Sequence, residues 1–219
     1  MTLFCLEVVD NIKKFYIMTK KLVFLFFPIV FLSGCFSSPA REVSNICHLL
    51  DEEVSWYRHA KATEKKYGAP SHIILAIMYQ ESRFDSDARP PREKLFGVIP
   101  WLRPSSAYGF AQAKDNTWDW YKLKSGNSDA DRDDFDDAID FVGWYISQSE
   151  KLSKISKTDA YNQYLAYHEG HGGFNNGSFK QKTWLLDIAK KVDQNAKKYK
   201  KQLDQCRDQL DSNRVWRFF

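Results

Sequence analysis

The chain has 219 residues, of which 43% are hydrophobic, 27% charged and 16% aromatic, enough apolar material for one packed domain. Ten Gly and seven Pro exclude a fibrous or low-complexity chain. The net charge of +4 is a small difference between 32 basic and 28 acidic residues with no basic stripe, which argues against nucleic acid as a partner.

The first readable element begins at Met18. Met18-Thr19-Lys20-Lys21 is followed by the apolar run 22–32 and by Leu32-Ser33-Gly34-Cys35. A basic start, a short apolar stretch and small residues before a cut site make a secretory signal peptide. The run is too short to span a bilayer, which takes about 20 residues. Residues 1–17 precede a complete signal, so translation is expected to start at Met18, with 1–17 a mis-assigned start. The end of the leader resembles a bacterial lipobox, and this implies cleavage before Cys35 and lipidation of that residue. Attachment to a membrane through lipidated Cys35 follows, because several acyl chains anchor where one binds marginally. The expected organisation is a leader at 18–34, a tether at 35–42, a domain at 43–210 and a C-terminal tail at 211–219. The expected location is the periplasm, anchored to the outer membrane of a Gram-negative bacterium. Residues 1–34 together hold four Lys and two acids, so the mature chain of 185 residues carries +2. Charge then says little about partners.

Cys5 leaves with the leader. Cys47 and Cys206 remain, and an even pair in an oxidising compartment favours a disulfide, the alternative being two buried thiols.

The mature chain reads as helices. Ile46, Leu49, Leu50, Val54 and Tyr57 keep the spacing of one buried face, and Gly68-Ala69-Pro70 ends that helix. A second helix is expected over 71–84. A loop rich in Pro and aromatics follows at 89–108, with a possible hairpin at 94–102, and then a short helix over 116–124 that ends before Gly126. The acidic run 129–140 leads a long helix with Phe135, Ala138, Ile139, Val142, Tyr145 and Ile146 inward. Asp134 stands where a calcium loop needs its glycine, so the acids read as a helix N-terminus. A helix over 158–168, a glycine-rich turn at 170–177 and a long last helix complete the chain. Leu185, Ile188, Val192, Ala196, Tyr199, Leu203 and Cys206 form one seam of that last helix. The fold class is mainly α, one helical domain with a small hairpin or irregular lobe.

Glu81 is the informative residue. It falls four positions after Ile77, on the apolar stripe of Ile74, Ile77 and Met78. Burial raises a carboxyl pKa, as a general acid at neutral pH requires. The bland alternative is a Glu near a helix end, paired with Arg83.

Three segments, taken in order, change that balance. They are Glu81-Ser82-Arg83-Phe84, then Gly109-Phe110-Ala111-Gln112, then Ala166-Tyr167-His168-Glu169-Gly170. The set resembles the lysozyme-like soluble lytic transglycosylase (SLT, goose-type) family over roughly 67–192. Its pattern is Glu-Ser, Gly-Leu-Met-Gln and Ala-Tyr-Asn-x-Gly. The resemblance implies Glu81 as catalytic acid/base, Gly109, Gln112, Tyr167 and His168 as substrate-binding residues, and peptidoglycan glycan strands as the partner. Phe110-Ala111 replaces Leu-Met, and His168 replaces the Asn.

Ordinary glycosidases use two carboxylates. Asp85, Asp87, Asp115, Asp119 and Glu169 are all possible second acids, but the family's substrate-assisted mechanism needs only one. The implied reaction cleaves the MurNAc–GlcNAc β-1,4 bond and forms 1,6-anhydroMurNAc. The alternatives are a muramidase using the same Glu with water, or a non-catalytic glycan-binding lipoprotein. No cofactor is expected. His168 and His171 are three apart where a zincin needs four, so no metal is expected. Trp101, Tyr108, Trp118 and Trp120 suit sugar stacking, with two or three aromatics expected in a cleft.

Overall fold

A computed structural model describes residues 43–216; Cys35, the leader and the start at Met18 lie outside the described residues. Helix α1 (Ile46–Glu52) begins at Asn45, whose side chain accepts from the Cys47 amide. Helix α2 (Val54–Tyr67) follows after one residue, Glu53, at φ −101° and ψ 68°. The single helix expected from the apolar spacing is therefore two. The break turns Val54 only half inward while Ile46, Leu49, Leu50 and Tyr57 stay buried. Gly68 at φ 67° closes α2, its amide bonding back to the Glu64 carbonyl.

Helix α3 (Ser71–Ser82) is the centre of the domain. Ile73, Ile74, Leu75, Ala76, Ile77 and Met78 are all buried, so α3 is apolar all round rather than along one stripe. Pro70 has no side chain to cap it, and Glu64 of α2 substitutes, accepting from the Ser71 amide at 3.3 Å and its hydroxyl at 2.5 Å.

The 89–108 loop carries the small hairpin, with β1 (Lys94–Leu95) antiparallel to β2 (Ile99–Pro100). Helix α4 (Asp115–Ser125) ends on Gly126 at φ 76°. The acidic run then leads α5 (Phe135–Ser153). Asp134 is its N-cap and Asp136 and Asp137 sit in its first turn, where the dipole favours anions. Asp140 accepts from Lys66 at 2.8 Å, Tyr67 at 2.9 Å and Tyr121 at 2.8 Å, joining α2, α4 and α5.

Helix α6 (Ala160–Asn175) passes through the expected glycine-rich turn instead of stopping before it. It kinks at Gly170, with φ 73° and ψ 159°, and resumes. Glycine helix propensity is poor, but tertiary contacts override it here: His171 stacks on Tyr145 at 4.5 Å and Phe174 on Phe179 at 5.1 Å. A 3₁₀ turn (Ser178–Gln181) leads into α7 (Thr183–Trp216), 34 residues long.

Helix α7 packs against α1, α3 and α6, and α5 against α2, α3, α4 and α6, so α3 lies between the two long helices. Leu185, Ala189, Val192, Ala196, Tyr199 and Leu203 face this core, while Ile188 and Cys206 are only partly buried. Cys47 of α1 is disulfide-bonded to Cys206 of α7 across 159 positions. Among the described residues no helix is long and apolar enough to cross a membrane.

Candidate active site

Glu81 sits in the last turn of α3, partly buried and opening into a cleft of about 530 Å³. The helix stops just behind it: Arg83 and Phe84 take left-handed backbone at φ 53° and 61°. Phe84 is buried, so the turn is locked by packing. Burial pushes the Glu81 carboxyl up to about 7, against a hydrogen bond from Tyr164 that favours the charged form.

Ser82 explains why a serine follows this glutamate. Its hydroxyl is buried and donates to the Phe110 carbonyl at 2.7 Å, tying the end of α3 to segment 109–112. Gly109 stands at φ 74°, and a Cβ there would lie 2.0 Å from the Arg132 carbonyl oxygen. Only glycine fits this approach, and the residue is buried against that backbone rather than among the cleft-lining residues. Gln112, at φ 48°, does line the cleft. Its amide nitrogen donates to the Ala88 and Gly109 carbonyls, both at 2.8 Å, which fixes the side chain in place. The acidic run holds the same segment from outside. Arg132 donates to the Ser106 and Ala113 carbonyls and pairs with Asp115 at 2.8 Å, and Tyr108 donates to Asp133 at 2.8 Å.

Tyr167 lines the cleft beside Glu81, but its hydroxyl donates to the Ala111 carbonyl at 2.5 Å. The hydroxyl on Glu81 belongs to Tyr164, one turn earlier on α6. Burial, then the charge of Glu81, raises the Tyr164 pKa, so Tyr164 stays a donor. Sequence reasoning missed this role. The available signal was its spacing, since residues three apart on a helix share a face.

His168 also lines the cleft, held between Glu169 at 3.0 Å and the edge of Trp184 at 5.2 Å. Glu169 is the only possible second acid named above that lines this cleft among the described residues. Its side chain is 4% exposed and accepts from Lys182 at 2.7 and 2.9 Å, from Ser178 and from His168. Burial alone would raise its pKa, but those three donors hold it down at about 2. One cleft carboxyl is therefore poised near neutrality and the other is fixed as an anion.

The aromatic wall is Phe141, Tyr145 and Tyr167. None of the four aromatics put forward from sequence belongs to it. Trp118 is in the core, Trp120 packs on Trp144, Tyr108 lies under Arg89, and Trp101 stands on the hairpin. No group of three or more His, Cys, Asp or Glu suited to a metal occurs among the described residues.

A helical domain built around a central helix that ends in a carboxyl facing one such cleft falls in the lysozyme-like class. The chain matches the Transglycosylase SLT domain family over residues 23–206 and belongs to that family. Its mainly helical fold is the lysozyme-like fold of that family, and membership points to peptidoglycan as the substrate bound and to lytic-transglycosylase-like activity. No curated protein matches the chain.

Proposed function

We propose that this protein is a peptidoglycan lytic transglycosylase in which Glu81 is both acid and base. The observation that carries the reading is one carboxyl raised to about 7 in an aromatic-walled cleft whose other acid, Glu169, is consumed by Lys182, Ser178 and His168. A carboxyl at this pKa can give up a proton at neutral pH and take one back.

Protonated Glu81 gives its proton to the bridging oxygen as the C1–O4 bond of the MurNAc–GlcNAc link breaks. The substrate's own N-acetyl oxygen bonds C1, taking the part of the missing second carboxylate. The Glu81 carboxylate then removes the proton from the C6 hydroxyl. O6 displaces the acetamide oxygen at C1 and closes the 1,6-anhydro ring. No water is consumed, and Glu81 ends protonated. The Tyr164 hydrogen bond steadies the carboxylate between the two transfers.

Gln112, Tyr167 and His168 are proposed to bind glycan along the cleft, and Gly109 to shape it through its backbone. The mature protein is proposed to sit in the periplasm, held by lipid on Cys35 to the outer membrane of a Gram-negative bacterium.

Mass spectrometry of muropeptides released from purified sacculi tests the reaction. Anhydro ends released by the parent and absent with Glu81→Gln are expected. Reducing ends from the parent would make it a hydrolase, and undiminished release by Glu81→Gln would remove the assignment.

A further inference from the structure

Eight large apolar side chains stand exposed among the described residues, and five of them sit within one short hairpin. They are Phe96 at 86%, Val98 at 75%, Leu102 at 68%, and Ile99 and Trp101 at about half. The other three, Leu123, Leu152 and Trp184, are scattered over α4, α5 and α7. Isolated exposed apolar residues are ordinary, but a contiguous cluster marks a surface meant to be covered. None of the five belongs to the core or to the side chains packed on it.

The hairpin is well formed. Glu93 donates to the Leu102 carbonyl at 2.9 Å, Trp101 to the Glu93 carbonyl at 2.7 Å, and Gly97 turns the tip at φ 76°. Its base is positive: residues 89–103 include Arg89, Arg92, Lys94 and Arg103 against the single acid Glu93. All five of these charged residues are exposed. Among the described residues Arg92 and Arg103 donate to neutral carbonyls, those of Trp101 and Pro90, and neither forms an ion pair.

We infer that the 93–102 hairpin is a membrane-docking element that seats its apolar tip at the headgroup–acyl boundary of an anionic bilayer. Trp and Phe beside Arg and Lys suit that boundary, where rings lie at headgroup depth and cations meet anionic lipid. The charge complementarity favours lipid over a second protein. The chain runs from Leu102 directly to Ser105 and Ala107 in the cleft wall, so docking holds the cleft close to the bilayer surface. The inference is independent of the cleavage chemistry, since its test reads binding.

The test measures amide hydrogen exchange of the full chain mixed with vesicles of equal parts phosphatidylcholine and phosphatidylglycerol. The apolar run 22–32 can itself hold the chain on lipid, so the readout must be local to the hairpin. Exchange over 93–102 is expected to slow with anionic vesicles, less with phosphatidylcholine alone, and less again at high salt. The double variant Phe96→Ser/Leu102→Ser is expected to lose that protection by about ten-fold or more while still cleaving sacculi. Unchanged exchange over 93–102 on vesicles that carry the chain overturns the inference. Equal protection without vesicles, rising with protein concentration, overturns it in favour of self-association.

Discussion

Glu81 is acted on by two opposed influences: burial favours the neutral acid, and the Tyr164 hydroxyl favours the anion. As proton donor it works only while protonated. The rate, read as kcat/KM on soluble glycan, should therefore fall about ten-fold per pH unit above about 7. Tyr164→Phe removes the contact that lowers the pKa, so this descending limb should move to higher pH. A limb that stayed in place would mean Tyr164 does not set the titration of the active group. Tyr167→Phe removes a hydroxyl bonded to the Ala111 carbonyl and should leave the limb where it is while lowering stability. Glu81 was legible because a carboxylate is out of place among Ile74, Ile77 and Met78. Tyr164 was not, because a tyrosine among apolar neighbours looks like core, and it is only 4% exposed.

At the scale of elements, the cleft wall is set by how α6 bends at Gly170 and is then fastened. Glu169 and Lys182 link α6 to the segment that leads into α7, with Ser178 of the 3₁₀ turn and His168 on the same carboxylate. Replacing Glu169 removes these charge-assisted hydrogen bonds, but Lys182 is 40% exposed and takes up water instead, so the cost is about 1–2 kcal/mol. Because the folded carboxyl titrates at about 2, below its unfolded value, the stability it contributes is present above about pH 4.5. That contribution is lost as pH falls toward 2. Glu169→Gln should therefore be clearly less stable than the parent in urea at pH 7. The difference should shrink steadily below about pH 4.5 and the two curves converge only near pH 2 and below. A constant difference across that range would show the ion pair is not the source. This fastening was not legible, since nothing local indicates that residues 13 apart meet. The helical stretch after Gly170 was hidden for a related reason. Its glycines signal a turn, and only the stacking of His171 and Phe174 on distant rings makes it helix. The long helices and the cap at Gly126 were legible, because apolar spacing and glycine stops are local signals.

Over the whole molecule, α1 would be a short helix at the edge of the core were it not bonded to α7. Gln202 accepts from the Ile46 amide at 3.0 Å and donates to the Ser44 carbonyl at 3.1 Å, and the Cys47–Cys206 bond lies one turn beyond. A link closing so long a loop restricts the unfolded chain and stabilises the fold by up to about 4–5 kcal/mol in the chain-entropy account. Reduction, or Cys47→Ser with Cys206→Ser, should lower the thermal midpoint by roughly 8–20 °C. A midpoint unchanged by reductant, with thiol labelling showing both cysteines free, would show the bond contributes nothing.

The same bond alters how the domain bears a load. When the chain is pulled from both ends, tension enters near Val43, crosses from Cys47 to Cys206 and leaves along the end of α7. The residues between the two cysteines, including the whole cleft, lie outside that path and can unfold without lengthening the molecule. In a single-molecule stretching experiment the oxidised domain should yield only a short extension. Reductant should then release about 55 nm more, the contour of the 159 positions that the bond encloses.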